Sequence, residues 1–456
     1  MPLILGTNSI KDTGYDVANS LRFNSGSSDY LNRTATSGNQ RTFTFSCWFK
    51  LCDTATQYLG SQSSGSNSYM AIYIQSSEVR VYDQNNSNQT LYFRTNRLLR
   101  DFSAWYHLMV AVDTTQSTES NRVKIYINGV QETSFASSTY PSQNTDTNIN
   151  HNGTVFQIGR YDYTGIGSPT HYLNSYLAET VLVDGSQLDQ TSFGEFDSDS
   201  GIWKPKDVSG LTFGTNGFYL DFEDSSALGN DVSGNNNDFT VNNLTAIDQS
   251  TDTCTNNFAT LNPLFATQDS GTMSEGNTIY TASANAWGGS GSTIGLSQGK
   301  WYFEIQLNNN AGGHFFGVID ETANVNNNPH QRTGSTFFYS AGEMYRDGSS
   351  ISSGHGTFGA SDIGGVALNL DDNEITIYKN GSAIVTDFAL STTKNTLFVW
   401  VMGYNSGSDL VKVNFGGSPP FTISSGNADG NGYGNFEYSV PANHYAINSK
   451  NLAEYG

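Results

Sequence analysis

Apolar and polar side chains alternate along most of this chain with a period of two. In Thr42-Phe-Thr-Phe-Ser-Cys-Trp-Phe-Lys50, Phe43, Phe45, Cys47 and Phe49 alternate with Thr44, Ser46, Trp48 and Lys50. Val123, Ile125 and Ile127 alternate with Arg122, Lys124 and Tyr126 in the same way. Such a period with one apolar face predicts half-buried antiparallel strands. No long stretch places apolar residues at i, i+3, i+4 and i+7, so helix is expected to be scarce, with one short turn over Gln187–Phe196. One hairpin unit occurs twice. Residues 107–130 and 364–381 each carry an apolar strand ending in Asp, then a strand containing Ile-Tyr that closes on Asn-Gly. Asn-Gly tolerates the positive φ of a tight hairpin turn. Two such units predict two β-sandwiches in tandem.

The strand-like runs and turn clusters divide the chain. Residues 1–16 form a lead-in, 17–205 a first sandwich, 206–268 a connector, 269–440 a second sandwich and 441–456 an irregular tail. Within the connector, Gly217-Phe-Tyr-Leu-Asp-Phe-Glu is apolar enough to add a strand to the first sandwich. A structureless linker of this length would be unusual, so the connector is expected to lie ordered on the sandwiches. The predicted fold class is therefore all-β, with two tandem antiparallel β-sandwiches.

Composition narrows the function. Charged residues make up only 14% of the chain, so surface polarity comes from Asn, Ser, Thr, Gly and Gln, which suit strands and turns. The formal net charge of −21 and the lack of a Lys/Arg cluster argue against nucleic-acid binding. No apolar run is long enough for a membrane span, and Met1-Pro-Leu-Ile-Leu-Gly-Thr-Asn is too short and uncharged for a secretory signal. Cys47, Cys52 and Cys254 are no disulfide framework, which fits synthesis in a reducing cytoplasm. Cys47 reads as a small core residue.

Catalytic chemistry is poorly represented. A glucanase-type Glu-x-Asp-x-x-Glu strand would supply a carboxylate pair, but Glu195-Phe-Asp-Ser-Asp199 lacks its last Glu, and Asp221-Phe-Glu-Asp224 fails likewise. No His-Glu-x-x-His spacing exists, and His107 at the start of a core strand reads as structural. No cofactor is expected. Asp231, Asn235, Asn237 and Asp238 offer oxygen ligands of the kind calcium takes, but on a loop for which ordinary turn chemistry is the favoured explanation.

Three resemblances sharpen this picture. Thr44-Phe-Ser-Cys-Trp-Phe-Lys50, Trp105-Tyr-His-Leu108, Val110-Ala-Val-Asp113, Val123-Lys-Ile-Tyr-Ile-Asn-Gly129 and Leu177-Ala-Glu-Thr-Val-Leu-Val-Asp184 resemble the laminin-G-like, concanavalin-A-type jelly roll. Gly299-Lys-Trp-Tyr-Phe-Glu304, Phe316-Gly-Val318, Asp362-Ile-Gly-Gly-Val-Ala-Leu-Asn-Leu-Asp371, Ile377-Tyr-Lys-Asn-Gly381 and Val413-Asn-Phe-Gly416 with Pro420-Phe421 resemble a SPRY domain. The opening Met1–Asp16, the connector Asn257-Phe-Ala-Thr-Leu-Asn-Pro263 and the tail Gly430-Asn-Gly-Tyr-Gly-Asn-Phe-Glu-Tyr438 with Lys450-Asn-Leu-Ala-Glu-Tyr-Gly456 resemble structural proteins of marine tailed bacteriophages. That resemblance implies a virion component on a tail fibre, spike or capsid decoration, made in the host cytoplasm and meeting the host surface. The partners it implies are a host-surface glycan or receptor and other virion proteins. A homo-oligomer is expected, formed through sandwich faces or termini because no heptads are present.

Sugars are held by aromatic faces together with Asn, Asp and backbone groups at sandwich edges. The candidate ligand residues are Tyr161, Tyr163 and Tyr172, beside His171, in the loop before the last jelly-roll strand. In the SPRY-like domain the family's pocket loops would be represented by Trp287, Tyr339, Tyr345, Arg346 and Tyr404. For any one of these residues taken singly, packing at sheet edges or against neighbouring subunits is the favoured explanation, while for the protein as a whole a recognition role is favoured. Three functional classes follow: glycan attachment, docking to virion proteins, and, disfavoured by the missing carboxylates, glycan hydrolysis.

Overall fold

The computed structural model describes residues 13–65, 67–161, 171–267, 271–283, 287–308, 313–325, 328–404 and 409–456. Thr13–Thr255 forms one compact unit and Asn256–Gly456 belongs to a second. Both are antiparallel β-sandwiches, as the alternation predicts. The stretch 206–268 divides at this boundary. Phe218–Leu220, Thr240–Asn242 and Gln249–Ser250 join sheets of the first sandwich, whereas Leu261–Ala266 pairs with Trp287–Leu296 of the second.

In the first unit one sheet runs Val130–Gln131, Val123–Ile127, Trp105–Asp113, Thr42–Leu51, Ser175–Asp184, Ser20–Phe23 and Gln249–Ser250. The other runs Phe135–Thr139, Asn88–Leu98, Glu78–Asn85, Ser68–Gln75, Gln57–Gly65, Val155–Ile158, Tyr30–Thr34 and Thr240–Asn242. Phe43, Phe45, Cys47 and Phe49 face the second sheet across the core, as their alternation predicts.

The polar face of that same strand is also buried, which differs from the half-buried expectation. Trp48 packs with Trp105, Tyr176 and Trp203, and the Ser46 hydroxyl meets His107 Nε2 at 2.8 Å. Lys50 and Asp252, each 1% exposed, form an ion pair at 2.8 Å, and the Trp105 indole donates to the same carboxylate at 3.1 Å. The cause is chain from further along the sequence: Phe193, Trp203, Val208, Phe213 and Tyr219 pack on this face of the sheet, and Asp252 reaches Lys50 there. His107 is held in one tautomer. Its Nδ1 accepts from Trp203 Nε1 at 3.1 Å, so Nε2 carries the proton toward Ser46, and burial lowers its pKa to about 3.

The second unit pairs a sheet of Leu261–Ala266, Trp287–Leu296, Leu397–Tyr404, His314–Asp320, Ser335–Tyr339, Glu343–Arg346 and Ser349–Ser353 with another. That other sheet runs Thr272–Ser274, Ile279–Thr281, Leu410–Asn414, Lys300–Leu307, Ile363–Asn369, Glu374–Lys379 and Ser382–Ala389. Both Asn-Gly pairs sit in the turns that require them, with φ of 48° and 75° at Asn128-Gly129 and 48° and 78° at Asn380-Gly381. The repeat extends to single atoms. Asn128 Oδ1 accepts the His107 N–H at 2.7 Å, and Asn380 Oδ1 accepts the Ile363 N–H at 2.9 Å.

Two local expectations change in detail. The turn near 187–196 is a single 3-10 turn, Gln190–Ser192, capped by Asp189. The tail is not irregular: Ser449–Tyr455 is a helix capped by Asn448, with Leu452 buried. Seven residues are too few to display helical periodicity, and tertiary packing supplies the stability instead.

Candidate functional site

Outward positions of the second sheet of the first sandwich carry a band of half-exposed tyrosines. Alternation puts Met70, Ile72 and Ile74 in the core and therefore Tyr69, Ala71 and Tyr73 outside. The neighbouring strands contribute Tyr58, Tyr82 and Tyr92 by the same rule. Tyr58 stacks between Tyr73 at 4.9 Å and Tyr161 at 4.8 Å. Tyr69 meets Tyr161 at 5.0 Å and Tyr82 at 5.5 Å, and Tyr82 meets Tyr92 at 5.7 Å. Each such pair contributes about 0.5–1.5 kcal/mol beyond the area it buries. Burial raises the pKa of Tyr73 and Tyr82, so both hydroxyls stay protonated and able to donate.

The structure thus places Tyr161 within this band, 7% exposed, where it is a packed member and not a free loop ring. Tyr172 lies half-exposed beside Tyr30, with ring centroids 6.2 Å apart. Tyr163 lies outside the described residues. Sequence reasoning missed Tyr30, Tyr58, Tyr69, Tyr73, Tyr82 and Tyr92. Their signal was present, since each falls on the outward phase of its own strand, but only strand order shows that the phases meet.

In the second unit, Trp287, Tyr339, Tyr345 and Tyr404 come together although they span more than a hundred residues. Trp287, Tyr339 and Tyr345 surround Phe315, which is buried on the outward face of the seven-stranded sheet, and Tyr404 joins them through Trp287. Trp287 and Tyr404 are register partners with ring centroids 4.9 Å apart. Phe315 stacks on Tyr339 at 4.5 Å and on His330 at 4.4 Å, and Tyr345 meets its edge at 5.1 Å. Burial lowers the His330 pKa to about 4, so the ring is neutral at physiological pH. Arg346 does not join them. Next to Tyr345 on its strand, it points the other way, packs over Phe388 at 5.6 Å and donates to the Ala389 carbonyl at 3.1 Å. Phe315 and His330 escaped the sequence reading because neither looks unlike an ordinary core or turn residue.

Oxygens of the Asp231–Asp238 loop serve the protein itself. Asp231 Oδ1 accepts the N–H groups of Tyr219 and Ser233, and its Oδ2 accepts the N–H of Asn237 and the Ser233 hydroxyl. Asp238 accepts the Asp231 N–H, and Asn237 Oδ1 accepts from Arg33. The Asn235 and Asn237 amide groups donate to carbonyls of residues 214–217. Among the described residues no group of three or more His, Cys, Asp or Glu side chains is arranged to hold a metal. Glu195 and Asp197 lie 3.4 and 3.6 Å from Lys204 Nζ, and Asp197 also accepts the N–H groups of Asp199 and Ser200.

The family models that match the sequence agree with this architecture. Residues 25–184 match the laminin-G-type domain of the concanavalin A-like lectin/glucanases superfamily, and residues 300–418 match the SPRY domain. No curated protein matches the sequence. Among solved structures, the SPRY domain of human HERC1 shares 22% identity over 34% of this chain and 96% of its own, with a TM-score of 0.29. The heptameric SAP-like pentraxin of Limulus polyphemus shares 18% identity over 38% of this chain and 79% of its own, also at 0.29. The chain therefore carries a concanavalin A-like domain followed by a SPRY domain.

Proposed function

We propose that this protein is a bacteriophage virion subunit, on a tail fibre, spike or decoration, that binds glycans of the host surface. The observation that carries the binding role is the open face of the first sandwich, where half-exposed tyrosines flank strands of Asn, Gln and Ser. Aromatic rings beside neutral hydrogen-bonding groups are the chemistry that sugar recognition uses. The lectin-like family of residues 25–184 supports this reading, and the resemblance to phage structural proteins supports the location. The reading assigns binding and no catalysis, with the protein assembled as a homo-oligomer in the host cytoplasm. It requires no membrane insertion; among the described residues no helix is long and apolar enough to cross a membrane.

A second reading has its own observation. The rings around Phe315, with Tyr404 added through Trp287, form an aromatic patch in which Trp287, Tyr339, Tyr345 and Tyr404 remain half-exposed. Such a patch suits docking to another virion protein. Adsorption of the purified protein to host cells separates the readings. Saturable binding that blocks infection is expected. Binding only to another virion protein would replace glycan attachment by docking, and release of reducing sugars would make the protein an enzyme.

A further inference from the structure

The tyrosine-bearing face of the first sandwich also carries two arginines side by side. Strand Glu78–Asn85 sends Val79 and Val81 into the core and therefore Arg80 and Tyr82 outward. Strand Asn88–Leu98 sends Leu91 and Phe93 inward and therefore Tyr92 and Arg94 outward. Register then builds two rows across the sheet. One holds Ser137, Arg94, Arg80, Tyr73 and Tyr58, and the other holds Thr139, Tyr92 and Tyr82. Arg80 and Arg94 are thus direct cross-strand partners, a pairing of like charges that destabilises a sheet unless something answers it. It stands in a chain with 21 Lys and Arg against 42 Asp and Glu.

One carboxylate serves both. Glu78 Oε2 accepts from Arg80 Nη2 at 2.8 Å and lies 3.7 Å from Arg94 Nε. Arg80 also donates to Gln75 Oε1, so its guanidinium is engaged, and its side chain is 16% exposed. Arg94 differs. Its side chain is 38% exposed, its Nε is buried on the Glu78 side, and its two Nη groups open to solvent and donate to no atom among the described residues. The pair therefore keeps one net positive charge, presented at the Nη edge of Arg94. Two parallel N–H groups of this kind match the two oxygens of a carboxylate. Tyr92, half-exposed, precedes Arg94 by two positions on the same face, which sets them about 7 Å apart along the strand. That spacing lets a sugar ring rest on Tyr92 while its carboxyl group reaches Arg94.

We infer that Arg94 and Tyr92 form a subsite for a carboxylated sugar, one acidic residue within an otherwise neutral glycan. The inference rests on the glycan-binding reading and names its site and sugar class. One charged contact leaves the salt dependence of the whole small, because screening weakens the attraction to Arg94 and the repulsion by the rest of the acidic chain together.

The test titrates the full chain by ligand-observed NMR with methyl β-glucuronide and the methyl α-glycoside of N-acetylneuraminic acid. Methyl β-glucoside is the neutral counterpart, and methyl β-glucoside 6-sulfate is the anion without a carboxylate. At least one carboxylated glycoside is expected to bind about tenfold more tightly than methyl β-glucoside, as a hydrogen bond between charged groups allows. Arg94→Gln and Arg94→Glu should each abolish that preference. Tm should not fall in either variant, because Arg94 donates no hydrogen bond among the described residues. A preference that survives both substitutions places the acid elsewhere and overturns the subsite. Equal or tighter binding of the neutral glycoside overturns it too, and glycan binding stands in either case. A preference confined to the 6-sulfate overturns the carboxylate class. If no probe binds but host-cell adsorption persists, the subsite fails and the host-surface role stands. If adsorption also fails, so does the proposed function.

Discussion

Glu179 shows how a single residue carries the cost of a local irregularity. It lies at the bulge between Ala178 and Val181, with φ of 46°, a conformation that side-chain-bearing residues seldom adopt. Its carboxyl is 5% exposed and accepts from Tyr219 at 2.8 Å and Tyr15 at 3.3 Å. Burial outweighs these bonds and raises its pKa to about 8. Between its ordinary value near 4.5 and about 8, the folded protein keeps this proton while the unfolded chain has lost it. Stability therefore falls as pH rises through that window, by up to about 1.4 kcal/mol per pH unit. Glu179→Gln keeps an acceptor for both tyrosines and removes the titration. Its Tm is expected to match the parent near pH 4.5 and to exceed it increasingly toward pH 8. Parallel Tm–pH curves would refute this account.

At the scale of elements, Phe193–Tyr219 together with Asp248–Asp252 turns a half-buried sheet into one buried on both faces. Their fastening depends on ion pairs. Asp248 meets Arg22 at 3.0 Å, and Asp252 meets Lys50 at 2.8 Å, all four side chains being at least nine-tenths buried. Removing one partner from such a pair leaves a charge in a poor solvent, which costs about 3–5 kcal/mol. Asp252→Ala is therefore expected to lower unfolding stability by about that much. The double change Lys50→Met with Asp252→Leu should recover most of it. Chemical denaturation followed through Trp105, which shares the site, checks both. A loss below about 1 kcal/mol would show that the pair behaves as an exposed one.

For the molecule as a whole, the −21 charge separates glycan attachment from electrostatic adhesion. Attraction between charged surfaces weakens as salt shortens the Debye length from about 10 Å at 0.1 M to about 3 Å at 1 M. Hydrogen bonds and ring contacts to neutral sugars are insensitive to this change. Host-cell adsorption is therefore expected to vary less than twofold between 0.1 and 0.5 M NaCl. A steep decline would point to a basic patch on the partner surface and against the glycan reading.

How much of this was written in the sequence follows from which interactions are local. Two-residue alternation, the Asn-Gly turns and the chain order of strand motifs set the all-β class, the two sandwiches and the repeated hairpin, because each is enforced by neighbours a few residues apart. Facing direction is likewise local, so the outward phase of Tyr69, Tyr73 and Tyr82 was legible. Their union was not. Tyr58 meets Tyr161, and Trp287 meets Tyr404, only because strands distant in sequence pair side by side. For the same reason the burial of Lys50, the raised pKa of Glu179 and the turning away of Arg346 emerged only in three dimensions. Burial and hydrogen-bond satisfaction depend on what covers a residue, and here the covering chain comes from elsewhere in the sequence.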